Sequence, residues 1–368
     1  MKTVHITTVH QRFDSRIFYK ECISLQKQFG NVTLIVADGK GNQNVQGIDI
    51  IDVGYEKSRI KRMIVCARRA VKKAISLNAD IYHFHDSELL LFALKLRKYG
   101  KVIFDSHEDF PKLMLQRPYL PKIFGKILFR VATFIEKNVY KRISGVVAAT
   151  QNIGKKFTDY GENNVVTVRN YPVIDFEKIN EDNVKDNPVF TACYTGGLTA
   201  IRGVKEMILA CEKADTRLIL AGPFDDEAYF NDMKKLSGWE NVDYLGMLPH
   251  GKLKQRVYDK ADIGLNMLLS APNHTDSIPI KQLEYMAHGL PVVATRHIKF
   301  CVEVTDMTDC GILVTPENTE ECAEVIKFLK ENKQKRIEMG KNGKRAVQSK
   351  YNWNKEQENL IDLYMKLC

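Results

Sequence analysis

The 368-residue sequence contains no run approaching the roughly 18 consecutive apolar residues that a membrane span needs. Its first residues, Met1 and Lys2, lead straight into a strand-like segment without the pattern of a secretory leader. Both absences point to a cytoplasmic protein. Eight cysteines stand singly, at positions 22, 66, 193, 211, 301, 310, 322 and 368. Without close Cys-x-x-Cys pairs they do not offer the usual zinc spacing and read as reduced, mostly structural thiols. No fixed-period repeat, low-complexity tract or recognised nucleic-acid-binding motif is found, so the formal net charge of +10 does not by itself argue for a nucleic-acid partner.

What is present is enough apolar material for two cores: 44% of the residues are hydrophobic, in a chain longer than one core normally serves. The basicity is uneven. Residues 1–180 hold 30 Lys/Arg against 17 Asp/Glu, whereas residues 181–368 hold 25 against 28. Short β-rich runs at 4–7, 32–36, 48–53, 81–84, 102–104, 146–149 and 165–168 alternate with helical patterns, and a second series follows at 190–195, 217–221, 242–245, 263–268, 292–294 and 311–314. Parallel strands need crossover connections, and those are mostly helical. The alternation therefore predicts an α/β chain of two Rossmann-like, doubly wound parallel-sheet domains facing across a cleft. The expected bounds are 1–172 and 189–350, with an acidic linker at 173–188 and a C-terminal helix at 351–368 that can pack back on the first domain. In such sheets ligands bind beyond the carboxyl ends of the strands, so the functional residues should lie on the loops there.

Two second-domain segments fit that rule. Tyr194-Thr-Gly-Gly-Leu-Thr-Ala-Ile-Arg202-Gly203 follows a strand and precedes a helical run. Gly196 and Gly197 permit a tight turn and close phosphate approach, and Arg202 offers a fork suited to phosphate oxygens; a structural turn with a solvated arginine fits the local spacing equally. Farther on, Asp276-Ser-Ile-Pro-Ile-Lys-Gln-Leu-Glu284 is followed by Tyr-Met-Ala-His-Gly-Leu-Pro-Val-Val. Pro279 suits the first turn of a helix, which aims the amides around Ser277, Ile278 and Ile280 at a diphosphate with Lys281 nearby. Glu284, one turn along, can accept from ribose hydroxyls, and Asp276 can reach the sugar.

At these residues the sequence resembles glycosyltransferase family 4 (glycosyl transferases group 1) of the GT-B superfamily. The family's Glu-x7-Glu appears as Asp276-x7-Glu284, and its GRL-x3-KG pattern appears with Arg202 at the usual lysine and Gly197 in place of the usual arginine. The resemblance implies a nucleotide-sugar donor, probed first as a UDP- or GDP-sugar, with Glu284 on the ribose, Asp276 on the sugar and the 277–280 segment beside the diphosphate. It further implies retaining transfer with no metal and no cofactor beyond the donor itself, in keeping with the lack of an Asp-x-Asp motif. The implied acceptor is a glycan or a lipid-linked molecule of surface-polysaccharide synthesis.

In the first domain the loop after the first strand, Thr7-Thr-Val-His-Gln-Arg-Phe-Asp-Ser-Arg16, has no glycine, which argues against a dinucleotide site. His10, Asp14 and Arg16 read as a polar loop on the acceptor side, with helix capping an equal reading for Asp14. His83-Phe-His85-Asp86 and Asp105-Ser-His107-Glu108 each set histidine beside a carboxylate, as metal ligands, an acid/base pair or loop hydrogen bonding. The family resemblance favours the second: its His107 would hydrogen-bond the sugar and stabilise charge, with Glu108 and Asp109 as acceptor contacts. Arg169-Asn-Tyr-Pro172 resembles the family's hinge segment.

Residues 56–73 and 112–142 each contain eight basic residues and one acidic residue, with apolar residues at helical spacing. They read either as solvated faces of core-packed helices or as attachment sites for an anionic membrane surface. Two other functions suit the architecture: a GT-B nucleotide-sugar epimerase, and a weakly active subunit that binds without transferring. Oligomeric state is not legible in the sequence.

Overall fold

A computed structural model describes residues 1–115, 122–161, 164–174, 187–271 and 275–368. The chain forms two compact units, one built from Met1–Asn170 together with Asn354–Cys368 and the other from Tyr171–Trp353. Most of the expected linker lies outside the described residues.

The first unit has an eight-stranded sheet made of β1 (Thr3–Ile6), β2 (Val32–Val36), β3 (Gln43–Val45), β4 (Ile48–Asp52), β5 (Ile81–Phe84), β6 (Lys101–Ser106), β7 (Gly145–Ala148) and β8 (Asn164–Thr167). Its order is β3-β4-β2-β1-β5-β6-β7-β8, and every neighbouring pair is parallel except β3 with β4. Sequence periodicity missed β3, because Gln43 and Asn44 are polar and the strand lies on the edge. Gln46 and Gly47, both at positive φ, turn the chain back into β4.

On one face of this sheet Val4, Ile6, Tyr82, Phe84, Val102, Phe104, Val146 and Ala148 enter a continuous core. The alternate positions face the other way, so the register that sets His5 beside His83 puts a polar cluster on the opposite face. Strand order reverses between β1 and β5, the place where an open α/β sheet offers a ligand crevice.

The second unit has a six-stranded parallel sheet: β9 (Thr191–Thr195), β10 (Arg217–Ala221), β11 (Val242–Tyr244), β12 (Ile263–Asn266), β13 (Val292–Thr295) and β14 (Gly311–Val314), in the order β11-β10-β9-β12-β13-β14. Cys193, Ile219, Ala221, Val292 and Ala294 fill one core, while Ala192, Tyr194, Leu218, Leu220 and Val293 fill the other. This period-two division between two apolar cores is what a sheet covered on both faces requires. The two sheets bear out the predicted α/β class.

Gly203 joins the loop after β9 to the helix Val204–Lys213, at φ 75°. A Cβ there would stand 2.0 Å from the Met267 carbonyl oxygen. Gly203→Ala combines left-handed strain with an overlap against backbone, an expected loss of about 3 kcal/mol. Thermal denaturation should register it as a fall of roughly 6–12 °C for a unit of this size.

Candidate functional site

In the second unit the loop after β9 and the helix Ile280–Ala287 come together. Gly196 adopts φ 137°, and a Cβ on it would lie 3.6 Å from Lys281 Cε, so Lys281 reaches back to the glycine turn. Gly197 faces open space: a Cβ on it would meet no atom within 4 Å. The place of the family's arginine is therefore sterically free. Tyr194 OH donates to the Gly197 carbonyl at 3.3 Å. Burial raises the Tyr194 pKa to about 12, with the charge of nearby Arg202 opposing the rise. Arg202 is itself exposed at the end of the turn.

Pro279 occupies the position immediately before the helix rather than its first turn, and its own side chain caps none of the amides that follow. Ser277, Ile278 and Ile280 are half-buried beside it. Glu284 is also half-buried, and its Oε2 accepts from Lys281 Nζ and from Tyr258 OH, both at 2.8 Å. Tyr258 hydroxyl lies 3.0 Å from Thr195 Oγ1, which links the carboxylate to the end of β9. Burial, then the Glu284 charge, raises the Tyr258 pKa well above that of an ordinary phenol, so Tyr258 remains a donor. Tyr258 had no signal in the sequence. Asp276 is exposed and paired with Lys299 at 2.9 Å.

A cavity of about 590 Å³ in this unit, lined in part by Phe190, Arg217, Val242 and Lys330, opens at the amino ends of β10 and β11. That is the end of the sheet opposite to the ligand-binding one.

In the first unit Asp105, at the end of β6, organises the carboxyl ends of the strands. It is fully buried and takes a two-pronged pair from Arg16, Nε to Oδ2 at 2.9 Å and Nη2 to Oδ1 at 2.8 Å. His85 Nδ1 lies 3.1 Å and His107 Nε2 2.7 Å from Asp105 Oδ2. Burial alone would raise the Asp105 pKa, but the charge of Arg16, followed by His107, outweighs it and holds the carboxyl well below its usual range.

This arrangement corrects the placement of three acceptor-side residues. Arg16, His85 and Asp86 are buried, because each satisfies a polar group beneath the loop. Asp86 accepts from Thr7, Thr8 and the Val9 amide and so fixes the loop after β1. Asp14 accepts from the amides of Arg16 and Ile17 at 2.8 and 2.9 Å, capping the helical run that starts at Ile17. His10 sits 3.4 Å from Asp14, and that hydrogen bond leads the rise in the His10 pKa. Its ring centroid is 4.9 Å from that of His107. Glu108 is exposed, while Asp109 pairs with Lys112 and Lys156. Sequence reading passed over Asp105 as the anchor, although the Asp-x-His spacing on a strand end already puts the carboxylate and the imidazole on one face.

Residues 15–171 match Glycosyltransferase Family 4 and residues 175–346 match Glycosyl transferases group 1. The fold is that of sucrose-phosphate synthase from Thermosynechococcus elongatus, with TM-score 0.74 at 14% identity over 100% of this chain and 99% of that one. It is shared too with Anabaena Alr3699/HepE, solved in complex with UDP and glucose, with TM-score 0.70 at 15% identity over the whole of both chains. Spore coat protein SA of Bacillus subtilis (strain 168) is 24% identical over 184 residues, 47% of this chain and 48% of that protein. D-inositol 3-phosphate glycosyltransferase of Corynebacterium kroppenstedtii is 31% identical over 108 residues, 29% of this chain and 22% of that protein. The matched region thus spans about half or less of these relatives' own length. Each half of the chain thus matches a glycosyltransferase domain, and the whole chain shares the fold of these solved structures.

Proposed function

We propose that this chain is a retaining hexosyltransferase that moves a sugar from a UDP- or GDP-sugar to a glycan or lipid-linked acceptor of surface-polysaccharide synthesis. The observation that carries the reading is the meeting of the Gly196–Gly197 turn, Lys281 and Glu284 at the carboxyl end of β9. Glu284 accepts the ribose hydroxyls, Asp276 contacts the sugar, and Arg202, Lys281 and the helix amides at Ile280 stabilise the departing diphosphate. In this reading they take the place of a metal, and no cofactor is needed beyond the donor. Attack comes on the face from which the diphosphate leaves, through an oxocarbenium-like ion pair, with His107 hydrogen-bonding the sugar. The complex of Anabaena HepE with UDP and glucose makes a UDP-sugar the first donor to try.

Calorimetry with UDP, GDP, ADP and their sugar conjugates, followed by product analysis, tests the reading. Donor consumption that requires an acceptor supports transfer. A changed sugar without acceptor would mean epimerisation, and selective binding with neither outcome would mean a binding subunit.

A peripheral membrane role at the inner face of the cell membrane belongs to the same proposal. Among the described residues no helix is long and apolar enough to cross a membrane. The helix Lys122–Tyr140, however, exposes Ile123, Phe124, Ile127, Leu128, Val131 and Phe134, the last 70% accessible, with Lys126, Arg130 and Lys137 among them. The earlier basic stretch divides: Ala67, Val71 and Ala74 are buried, whereas Ile60 and Ile64 are exposed. Apolar side chains flanked by cations suit an anionic headgroup layer, at roughly 1 kcal/mol per nearby basic residue. The protein is expected to float with phosphatidylglycerol vesicles at low salt and not with phosphatidylcholine vesicles. Phe124→Ser/Phe134→Ser should abolish flotation; unaltered flotation would remove this helix from the role.

A further inference from the structure

The buried face of the first sheet holds more titratable groups than binding a sugar explains. His5, Glu21, His83 and His85 are all buried with Asp105 and Arg16, and the C-terminal helix Trp353–Leu367 adds Tyr364. Tyr364 hydroxyl lies 2.8 Å from His83 Nδ1 and 3.3 Å from His5 Nε2. His5 Nδ1 lies 2.9 Å from His85 Nε2, and His85 Nδ1 lies 3.1 Å from Asp105.

With one N–H on each buried ring, these contacts fix where that proton sits. An ionised Asp105 only accepts, so His85 Nδ1 and His107 Nε2 are both donors. A neutral imidazole carries one N–H, which makes His85 Nε2 an acceptor and His5 Nδ1 its donor. His5 Nε2 must then accept from Tyr364 OH, whose oxygen accepts in turn from His83 Nδ1–H. The assignment requires His83 Nε2 to carry no proton, and that atom is buried without a hydrogen-bond partner among the described residues. His5, His83 and His85 are buried, and burial disfavours the charged form of each ring.

We propose that Asp105 is a positioning residue: when the His107 ring carries a single proton, the Asp105 carboxylate keeps it on Nε2, leaving Nδ1 as a bare acceptor for a hydroxyl of the bound sugar. Tyr364, His5 and His85 form the buried series that orients Asp105 toward it. The His107 side chain is 20% accessible, and its Nδ1 has no hydrogen bond among the described residues. The acceptor role rests on the transferase reading, whereas the tautomer does not. Alternation fixed by a carboxylate is the same physical device that orients imidazoles in other enzymes.

The test is long-range ¹H–¹⁵N correlation of ¹⁵N-histidine-labelled protein at pH 8, with His107 assigned by its loss in His107→Gln. Wild type should show His107 protonated at Nε2 and bare at Nδ1, and Asp105→Asn, whose amide offers hydrogens to the same ring, should shift the population toward Nδ1–H. An Nδ1–H tautomer in the wild type would overturn the proposal. So would nitrogen shifts characteristic of a bound cation that vanish with chelator, since His5, Glu21, His83 and His85 are also disposed to hold a metal ion. Because the wild-type spectrum needs neither donor nor turnover, a protein that transfers no sugar but shows this tautomer leaves the positioning intact and removes only the transferase reading.

Discussion

Glu284→Ala is expected to weaken binding of the nucleotide-sugar donor about 100-fold, read as the calorimetric Kd of the nucleotide that the wild type prefers. A carboxylate accepting two ribose hydroxyls makes charge-assisted hydrogen bonds of roughly 1.5–3 kcal/mol each, part of which solvent recovers in the variant. The ribose is remote from the bond that breaks, so most of this interaction is present before and during transfer. KM should therefore rise far more than kcat falls.

The variant also strips Lys281 and Tyr258 of their common acceptor. Tyr258→Phe separates the two contributions: it keeps the carboxylate and the Lys281 pair and removes one of the bonds that orient Glu284. Its expected loss is roughly tenfold or less, in keeping with one neutral donor. Equal Kd values for wild type and Glu284→Ala would remove Glu284 from the donor site. A loss as large in Tyr258→Phe as in Glu284→Ala would mean that the helix position, rather than the carboxylate, binds the donor.

Much of this organisation is legible in the chain because it rests on local patterns. Buried strands such as Ile81–Phe84 and Arg217–Ala221 show as short β-rich runs between helical stretches, and the 276–293 segment shows the helix Ile280–Ala287 and the strand Val292–Thr295 after it. The edge strand Gln43–Val45 escaped because its residues are polar and its pairing depends on a turn without Asn-Gly or Asp-Gly. Arg16 could not be placed correctly from its loop, since the partner that draws it inward, Asp105, is 89 residues away. Tyr364 is farther still from His83, and on its helix it looks like any other apolar-face tyrosine. Long-range polar satisfaction sets these positions, and no periodicity encodes it.

Asp105→Ala should be the most destabilising change in the first unit, because it leaves the Arg16 guanidinium buried without its carboxylate. Removing one member of a buried ion pair costs roughly 3–5 kcal/mol, which for a unit of this size lowers Tm by roughly 6–20 °C. Glu21 limits the damage. Its Oε1 is 3.0 Å from Arg16 Nε, and its pKa is raised by burial first and then by the charge of Asp105. Without Asp105, Glu21 ionises more readily and takes over part of the pairing.

The same exchange changes the pH dependence. In the wild type the depressed Asp105 pKa contributes stability that is complete above the carboxyl's unfolded value, about 4, and is lost as pH falls through its lower folded value. The raised Glu21 pKa acts oppositely: its contribution is present below its unfolded value and fades as pH rises through the folded one. Asp105→Ala removes the first effect and weakens the second, so Tm against pH should be lower throughout and flatter on both sides. Arg16→Met/Asp105→Leu, which removes both charges, should be more stable than Asp105→Ala alone. A single variant as stable as wild type, with an unchanged pH profile, would show that the Arg16 pair does not hold this unit together.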